Sequence, residues 1–246
     1  GHENKAKNSN QTLNNSISLL FDQMDNYEFE FKIIKDYSNI NDNIDQENLC
    51  YTDMMKTEER EKNFYFSAPF TLYLGLQIFS KKPLPTNVDN YVNLADLLAV
   101  SNDNKIGIVT GRSLGLTIDE KTTILNEKQL VRLPAELDSI LAIFNHNRFN
   151  LLIEYPQYVN LHWTNISDEK LYSYPIIGGK PYTLGHMMCS KTDINKEFIT
   201  KFNQSIENSG RSGALFNALS SEIDQDKKAE FEKYFREVFI YQGPHH

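Results

Sequence analysis

The stretch Thr57-Glu58-Glu59-Arg60-Glu61-Lys62-Asn63-Phe64-Tyr65-Phe66-Ser67-Ala68-Pro69-Phe70 decides how this chain is read. It sets an arginine in a short polar turn and follows it with a run rich in aromatic residues that contains Phe-Ser-x-Pro, Phe66 lying six positions after Arg60. A guanidinium keeps its charge at every physiological pH, and its planar fork matches a carboxylate through two parallel hydrogen bonds. Taken alone, Arg60 is better read as part of a solvated face, because Lys56, Glu58, Glu59, Glu61 and Lys62 surround it with charge.

The flanking sequence alternates between strand and helix patterns. Leu49 to Met55 reads as a strand leading into the Arg60 turn, and Phe64 to Phe79 as a long extended crossing segment that stops at Lys81-Lys82-Pro83-Leu84-Pro85, a boundary signal. Upstream, Ile17, Leu20, Phe21 and Met24 recur at helical spacing, and Tyr27 to Ile34 alternates as a strand does. Downstream, the patterns predict a helix over 94–100, a buried strand over 105–110, a turn into a helix at Gly111-Arg112-Ser113-Leu114-Gly115 and a strand over 130–133. A helix face formed by Leu137, Ile140, Leu141 and Phe144 comes next, then a central strand over 150–155. Gly178-Gly179-Lys180-Pro181 marks a second boundary, ahead of a strand over 183–189. Two helices close the chain, one carrying Phe198, Ile199, Phe202 and Ile206 and stopping at Asn208-Ser209-Gly210, the other carrying Phe231, Tyr234, Phe235 and Val238. This order predicts a chain that leaves one α/β lobe (1–80), builds a second (81–183) and returns to the first (184–246).

Composition removes several classes. A formal charge of −8 over 246 residues argues against a nucleic-acid binder. No apolar run approaches the ~18 residues of a membrane span. The polar start Gly1-His2-Glu3-Asn4-Lys5-Ala6-Lys7 reads as a cloning scar with a short tail, so any signal peptide is expected either to have been removed or never to have existed. His146 and His162 read as surface or packed histidines, nothing has metal-ligand spacing, and no cofactor is expected. The acidic, Asn-rich stretch from Asp36 to Glu47 reads as a solvated helix or loop.

One motif points to an enzyme. Gly111-x-Ser113-x-Gly115 follows a strand and precedes a helix, as the nucleophile elbow of an α/β-hydrolase does, and Asp168 and His186 follow in the order Ser, Asp, His. An esterase built on Ser113 is therefore the alternative reading; the motif lacks an HGGG-type loop before it and the earlier parallel strands of that fold.

Taken with the arginine turn, the segments Leu49-Cys50, Ile106-Gly107-Ile108-Val109-Thr110-Gly111-Arg112-Ser113, Leu152-Ile153-Glu154-Tyr155-Pro156 and Met188-Cys189-Ser190-Lys191-Thr192 resemble, in order and spacing, an uncharacterised branch of the bacterial periplasmic solute-binding proteins of family 3. The resemblance covers most of the chain. It implies a two-lobed type 2 periplasmic-binding-protein fold and a non-enzymatic, monomeric, extracytoplasmic domain. Such a domain closes over a small carboxylate-bearing or zwitterionic solute, for ABC-type uptake through a membrane permease or for sensing through a receptor. Arg60 then anchors the carboxylate, and Thr110, Arg112 and Ser113 offer a helix N-terminus and a hydroxyl to an anionic group. Glu154 stands where the family places an Asp for an α-ammonium, while Tyr155, Phe70 and Trp163 are candidate stacking surfaces. The chain departs from the pattern at Met55, where a small hydroxylic residue is common, and at its start, where the first strand of lobe one is expected to be either missing or replaced by another segment. The resemblance further implies a Cys50–Cys189 disulfide, because the returning strand inserts beside the strand that leads into the arginine turn.

Overall fold

A computed structural model describes residues 11–24, 27–32, 48–100, 103–110, 112–123, 128–133 and 137–241. The stretch from Asp36 to Glu47 and Gly111 lie outside these residues. The chain divides into two compact units, one formed by the described residues before Leu74 and from Leu184 onward, the other by those from Leu74 to Thr183.

Unit 1 opens with α1 (Gln11–Phe21), followed by β1 (Cys50–Met54), α2 (Glu58–Asn63) and β2 (Phe64–Leu74), whose last residue begins unit 2. In unit 2 come β3 (Gln77–Ser80), α3 (Leu94–Val100), β4 (Ile106–Val109), α4 (Leu116–Thr123), β5 (Leu130–Leu133), α5 (Leu137–Asn145), β6 (Leu151–Glu154), α6 (Pro156–Trp163) and β7 (Tyr172–Pro175). Strand β8 (Tyr182–Ser190) returns the chain to unit 1, which ends with α7 (Asp193–Arg211), α8 (Ala214–Ser220), α9 (Lys228–Phe235) and a π-helical turn at Arg236–Ile240.

The sheet of unit 1 has the order β1-β8-β2, so the strand made last lies between the two made first. Strands β1 and β8 are antiparallel with Cys50 opposite Cys189, and the two cysteines form a disulfide across 139 positions. The pairing that the family resemblance implied is therefore present. The sheet of unit 2 runs β5-β4-β6-β3-β7, with β4 parallel to both β5 and β6 and β3 antiparallel to β6 and β7. All four residues of β4 and all four of β6 are buried, as befits strands covered on both faces; their apolar runs account for all but Glu154, whose carboxylate is matched by Arg112 and the Tyr155 N–H. Phe79, Ile140, Leu141, Phe144, Phe149, Leu152, Val159 and Trp163 make up much of the core beside them.

Several elements differ from the sequence expectation. The first passage between units falls at Tyr73/Leu74, ahead of the Lys81 to Pro85 boundary, because β3 pairs on both sides within the second sheet. The second falls at Thr183/Leu184. Tyr27–Lys32 joins no sheet. Its aromatic side chains pack on helices instead, Phe29 stacking on Phe21 at 3.9 Å between centroids and both Tyr27 and Phe29 meeting the ring of Phe198 edge-on. Helix α7 runs through the predicted stop because Ser209 and Gly210 are buried in it; the break comes at Gly213, whose φ of +76° suits a residue without a side chain.

Candidate functional site

Arg60 owes its position to a short helix pinned at both ends. Thr57 is extended and N-caps α2, its hydroxyl oxygen accepting the Arg60 N–H at 3.3 Å. At the other end Lys191 Nζ donates to the carbonyls of Glu61 (3.0 Å) and Lys62 (2.9 Å), satisfying groups that a helix terminus leaves open. The half-buried Arg60 side chain donates from Nη1 to the Met55 carbonyl at 2.9 Å, which steers the guanidinium back toward the end of β1. A fixed guanidinium loses less side-chain entropy on meeting a carboxylate than a mobile one.

On the same sheet lies a polar cluster that the sequence reading missed. Asp53 has a positive φ of 59° where the β1–β8 register shifts between Tyr51 and Met54. Its carboxylate accepts hydrogen bonds from the Thr71 hydroxyl (2.5 Å) and the Tyr73 hydroxyl (2.7 Å). Gly185 is required beside it, since a Cβ there would stand 2.0 Å from Asp53 Oδ1. The available signal was an aspartate inside the strand Cys-Tyr-Thr-Asp-Met, a residue type that strands disfavour.

The Phe-Ser-x-Pro segment does structural work in unit 1. Ser67 is buried, its hydroxyl donating to the Ala68 carbonyl (2.5 Å) and accepting the Met187 N–H (3.0 Å). Phe70 has no exposed surface and meets Phe202 edge-on at 5.4 Å, so its ring forms core. His186 is buried with Nδ1 2.9 Å from the Ser67 carbonyl, an acceptor that keeps the proton on Nδ1; burial lowers its pKa and that hydrogen bond works in the opposite direction.

In unit 2 the turn after β4 is already matched internally. Thr110 extends the pairing with β5 by donating its N–H to the Leu133 carbonyl at 3.0 Å. Ser113 donates its hydroxyl to Asp119 Oδ2 (2.6 Å), Leu114 N–H donates to Asp119 Oδ1 (2.8 Å) and Gly115 N–H to Ser113 Oγ (3.2 Å). The carboxylate that this helix start holds is thus Asp119, in the first turn of α4.

Arg112 and Glu154 come together. Arg112 Nη1 is ion-paired to Glu154 Oε2, the Tyr155 N–H donates to Glu154 Oε1 at 2.8 Å, and the Arg112 guanidinium sits 5.1 Å from the centre of the Tyr155 ring. Glu154 ends β6, and Tyr155 is the N-cap of α6, so the carboxylate also lies at a helix start. Trp163 packs on Phe144 in the core and donates its indole N–H to the Glu169 carbonyl at 2.7 Å.

This geometry corrects the esterase reading. A serine hydroxyl has one proton, and that of Ser113 is directed at a carboxylate six residues on rather than at an imidazole; His186 belongs to the other unit and bonds Ser67, while Asp168 is exposed.

Among the described residues, two α/β units are joined by two passages of the chain, the architecture of the two-lobed type 2 periplasmic-binding fold. No protein-family model matches the chain, and no curated protein matches it. Solved structures do, and those most similar are consistently substrate-binding proteins of amino-acid ABC transporters. An ancestral arginine-binding protein bound to glutamine superposes with a TM-score of 0.65 at 14% identity, over 86% of this chain and 87% of that one. The probable amino-acid ABC transporter extracellular-binding protein ytmK of Bacillus subtilis gives 0.60 at 17% identity, over 87% and 88%. The arginine-, lysine-, histidine-binding protein ArtJ of Geobacillus stearothermophilus gives 0.61 at 15%, over 89% of each. At such identities the likeness establishes the fold.

Proposed function

We propose that this chain is a non-enzymatic, extracytoplasmic solute-binding domain for a small carboxylate-bearing solute, with Arg60 as the carboxylate anchor. The observation that carries the reading is the arginine itself: a guanidinium held by the Met55 carbonyl on a helix pinned by Thr57 and Lys191, in a chain whose fold is that of amino-acid-binding proteins. Extracytoplasmic placement draws on the Cys50–Cys189 disulfide, a bond that persists in oxidising compartments. Among the described residues no helix is long and apolar enough to cross a membrane. Against catalysis stands the engagement of Ser113 with Asp119. Arg112, Glu154 and Tyr155 form a separate polar cluster within unit 2, and Phe70 belongs to the packing of unit 1.

Titration calorimetry against a library of amino acids and small carboxylic acids tests the assignment. A charge-assisted hydrogen bond to an anchoring arginine is worth about 1.5–3 kcal/mol, so Arg60→Ala is expected to weaken binding ten- to hundredfold or more while leaving the circular dichroism spectrum unchanged. Unaltered affinity in a folded Arg60→Ala protein sinks the site.

A further inference from the structure

We propose that residues 27–32 form a strand edge through which two copies of this chain pair antiparallel, with Phe31 on the two-fold axis and Glu30 of each copy facing Lys32 of the other. The inference concerns unit 1 alone and does not draw on the solute-binding reading. It replaces the monomer that the family resemblance implies.

The backbone of this segment is set up for pairing and finds none within the chain. Residues 27–32 alternate strictly, with Tyr27, Phe29 and Phe31 interleaved with Glu28, Glu30 and Lys32, yet among the described residues they join no sheet. The one backbone hydrogen bond of the segment among those residues runs from the Tyr27 N–H to the Met24 carbonyl at 3.2 Å, which leaves the groups from Glu28 to Lys32 open to an outside strand.

The aromatic side is covered at one end and bare at the other. Lys201 Nζ sits 5.1 Å from the centre of the Tyr27 ring, and Phe198 meets both Tyr27 and Phe29, so the segment runs along α7 toward that helix's N-terminus. At that end Phe31 is 66% exposed, and Ile194, one turn before Phe198 on the same face of α7, is 58% exposed. Strand addition supplies the missing backbone partners and covers such a ring in one step.

The charges select a second copy as the partner. Glu30 and Lys32 project to one side, their charged ends 3.4 Å apart and both largely exposed. In an antiparallel pairing centred on Phe31, Glu30 of each copy lies opposite Lys32 of the other, and opposite charges directly across a strand pair stabilise it while like charges destabilise it. Slipping the register by one residue sets aromatic positions against charged ones. Slipping it by two sets Glu30 against Glu30 or Lys32 against Lys32, and a parallel pairing in register sets every charge against its like. The register that survives is self-complementary, and an isologous contact of this kind closes at two copies.

Sedimentation velocity of the whole chain over a concentration series tests the proposal. The contact is short for a protein interface, which places the expected dissociation constant in the micromolar range. Phe31→Asp and Lys32→Glu, both at exposed positions and expected to leave the circular dichroism spectrum unchanged, should each weaken dimerisation about tenfold or more. The charge-reversed double variant Glu30→Lys/Lys32→Glu restores both cross-strand pairs and should dimerise as the parent does. Amide hydrogen exchange over residues 28–32 should slow as the dimer forms. A chain that stays monomeric at millimolar concentration overturns the proposal, and so does a dimer that survives Phe31→Asp. A double variant as weak as Lys32→Glu alone, or a dimer whose 28–32 amides exchange as fast as in the monomer, overturns it as well.

Discussion

In unit 2 the adjacent strands β4 and β6 bury every one of their residues, whereas β1 of unit 1 buries only Tyr51 and Met54 among its five and breaks register with β8 between them. What the edge strand β1 lacks in apolar continuity, unit 1 makes up with directed bonds: a disulfide at one end of the β1–β8 pairing, Asp53 tied to Thr71 and Tyr73, and Ser67 tied to Met187. Apolar burial is non-directional and spreads over a whole strand, while a cross-link or a hydrogen bond acts at one place. Unit 1 should therefore fail on loss of single bonds, and unit 2 on loss of fit.

The largest expected effect comes from the cross-link. Cys50→Ser together with Cys189→Ser should cost about 5 kcal/mol by the loop-closure estimate for a separation of 139 residues. Trp163, the single tryptophan of the chain, lies in the core of unit 2 and reports that unit alone. Thermal melting of the double variant should show the circular dichroism signal falling well before Trp163 emission changes. Coincident transitions would break the comparison by making the two units one cooperative body.

Next in size is Gly107→Ala. Gly107 sits on β4, and a Cβ there would lie 2.3 Å from the Phe149 ring, so the added methyl is expected to cost about 1–3 kcal/mol through overpacking. The order of loss should reverse, with Trp163 emission moving first. A Gly107→Ala protein as stable as the parent would mean that the core of unit 2 yields more readily than its burial implies.

The smallest effect is a dependence on pH in unit 1. Burial lowers the pKa of His186 below the ordinary 6.5, while its bond to the Ser67 carbonyl opposes the shift. With the folded value below the unfolded one, the unfolded chain binds more protons at pH values between the two. Stability is full above about 6.5, declines as the pH falls toward the folded pKa, and levels off beneath it. Urea midpoints from pH 7.5 to 5 should trace that decline, and His186→Gln should flatten it; an identical slope in the variant removes His186 as the cause.

The contrast between units also explains what the sequence made legible. Strands β4 and β6 are readable because doubly covered strands carry apolar runs, interrupted in β6 only by Glu154 at its end, and the disulfide because the resemblance placed both cysteines on neighbouring strands. Strand β7, Tyr-Ser-Tyr-Pro, left no trace, since at the sheet edge beside β3 it needs no apolar run. Helix α6 hid behind Glu154-Tyr155-Pro156, where proline ends one pattern and serves as first helical residue of the next. Tyr27 to Lys32 misled in the other direction, for alternation reports which side chains find partners, and here those partners lie on α1 and α7 rather than across a strand pair. The Arg112–Glu154 pair joins residues 42 positions apart, and no local periodicity encodes a contact of that kind.

The β1-β8-β2 order has a consequence for how the molecule comes into being on the ribosome. Every strand of the second sheet has been synthesised once residue 175 is made, whereas β1 and β2, finished a hundred residues earlier, wait for the middle strand that joins them. Nascent chains fold as their segments become complete, and pairings distant in sequence form slowly. The part threaded through the middle of the sequence can thus assemble while the outer part is still an open chain, and Cys50 stays a thiol until Cys189 arrives. With two cysteines in the chain a single intramolecular link is possible, and it closes only once β8 has reached its place beside β1.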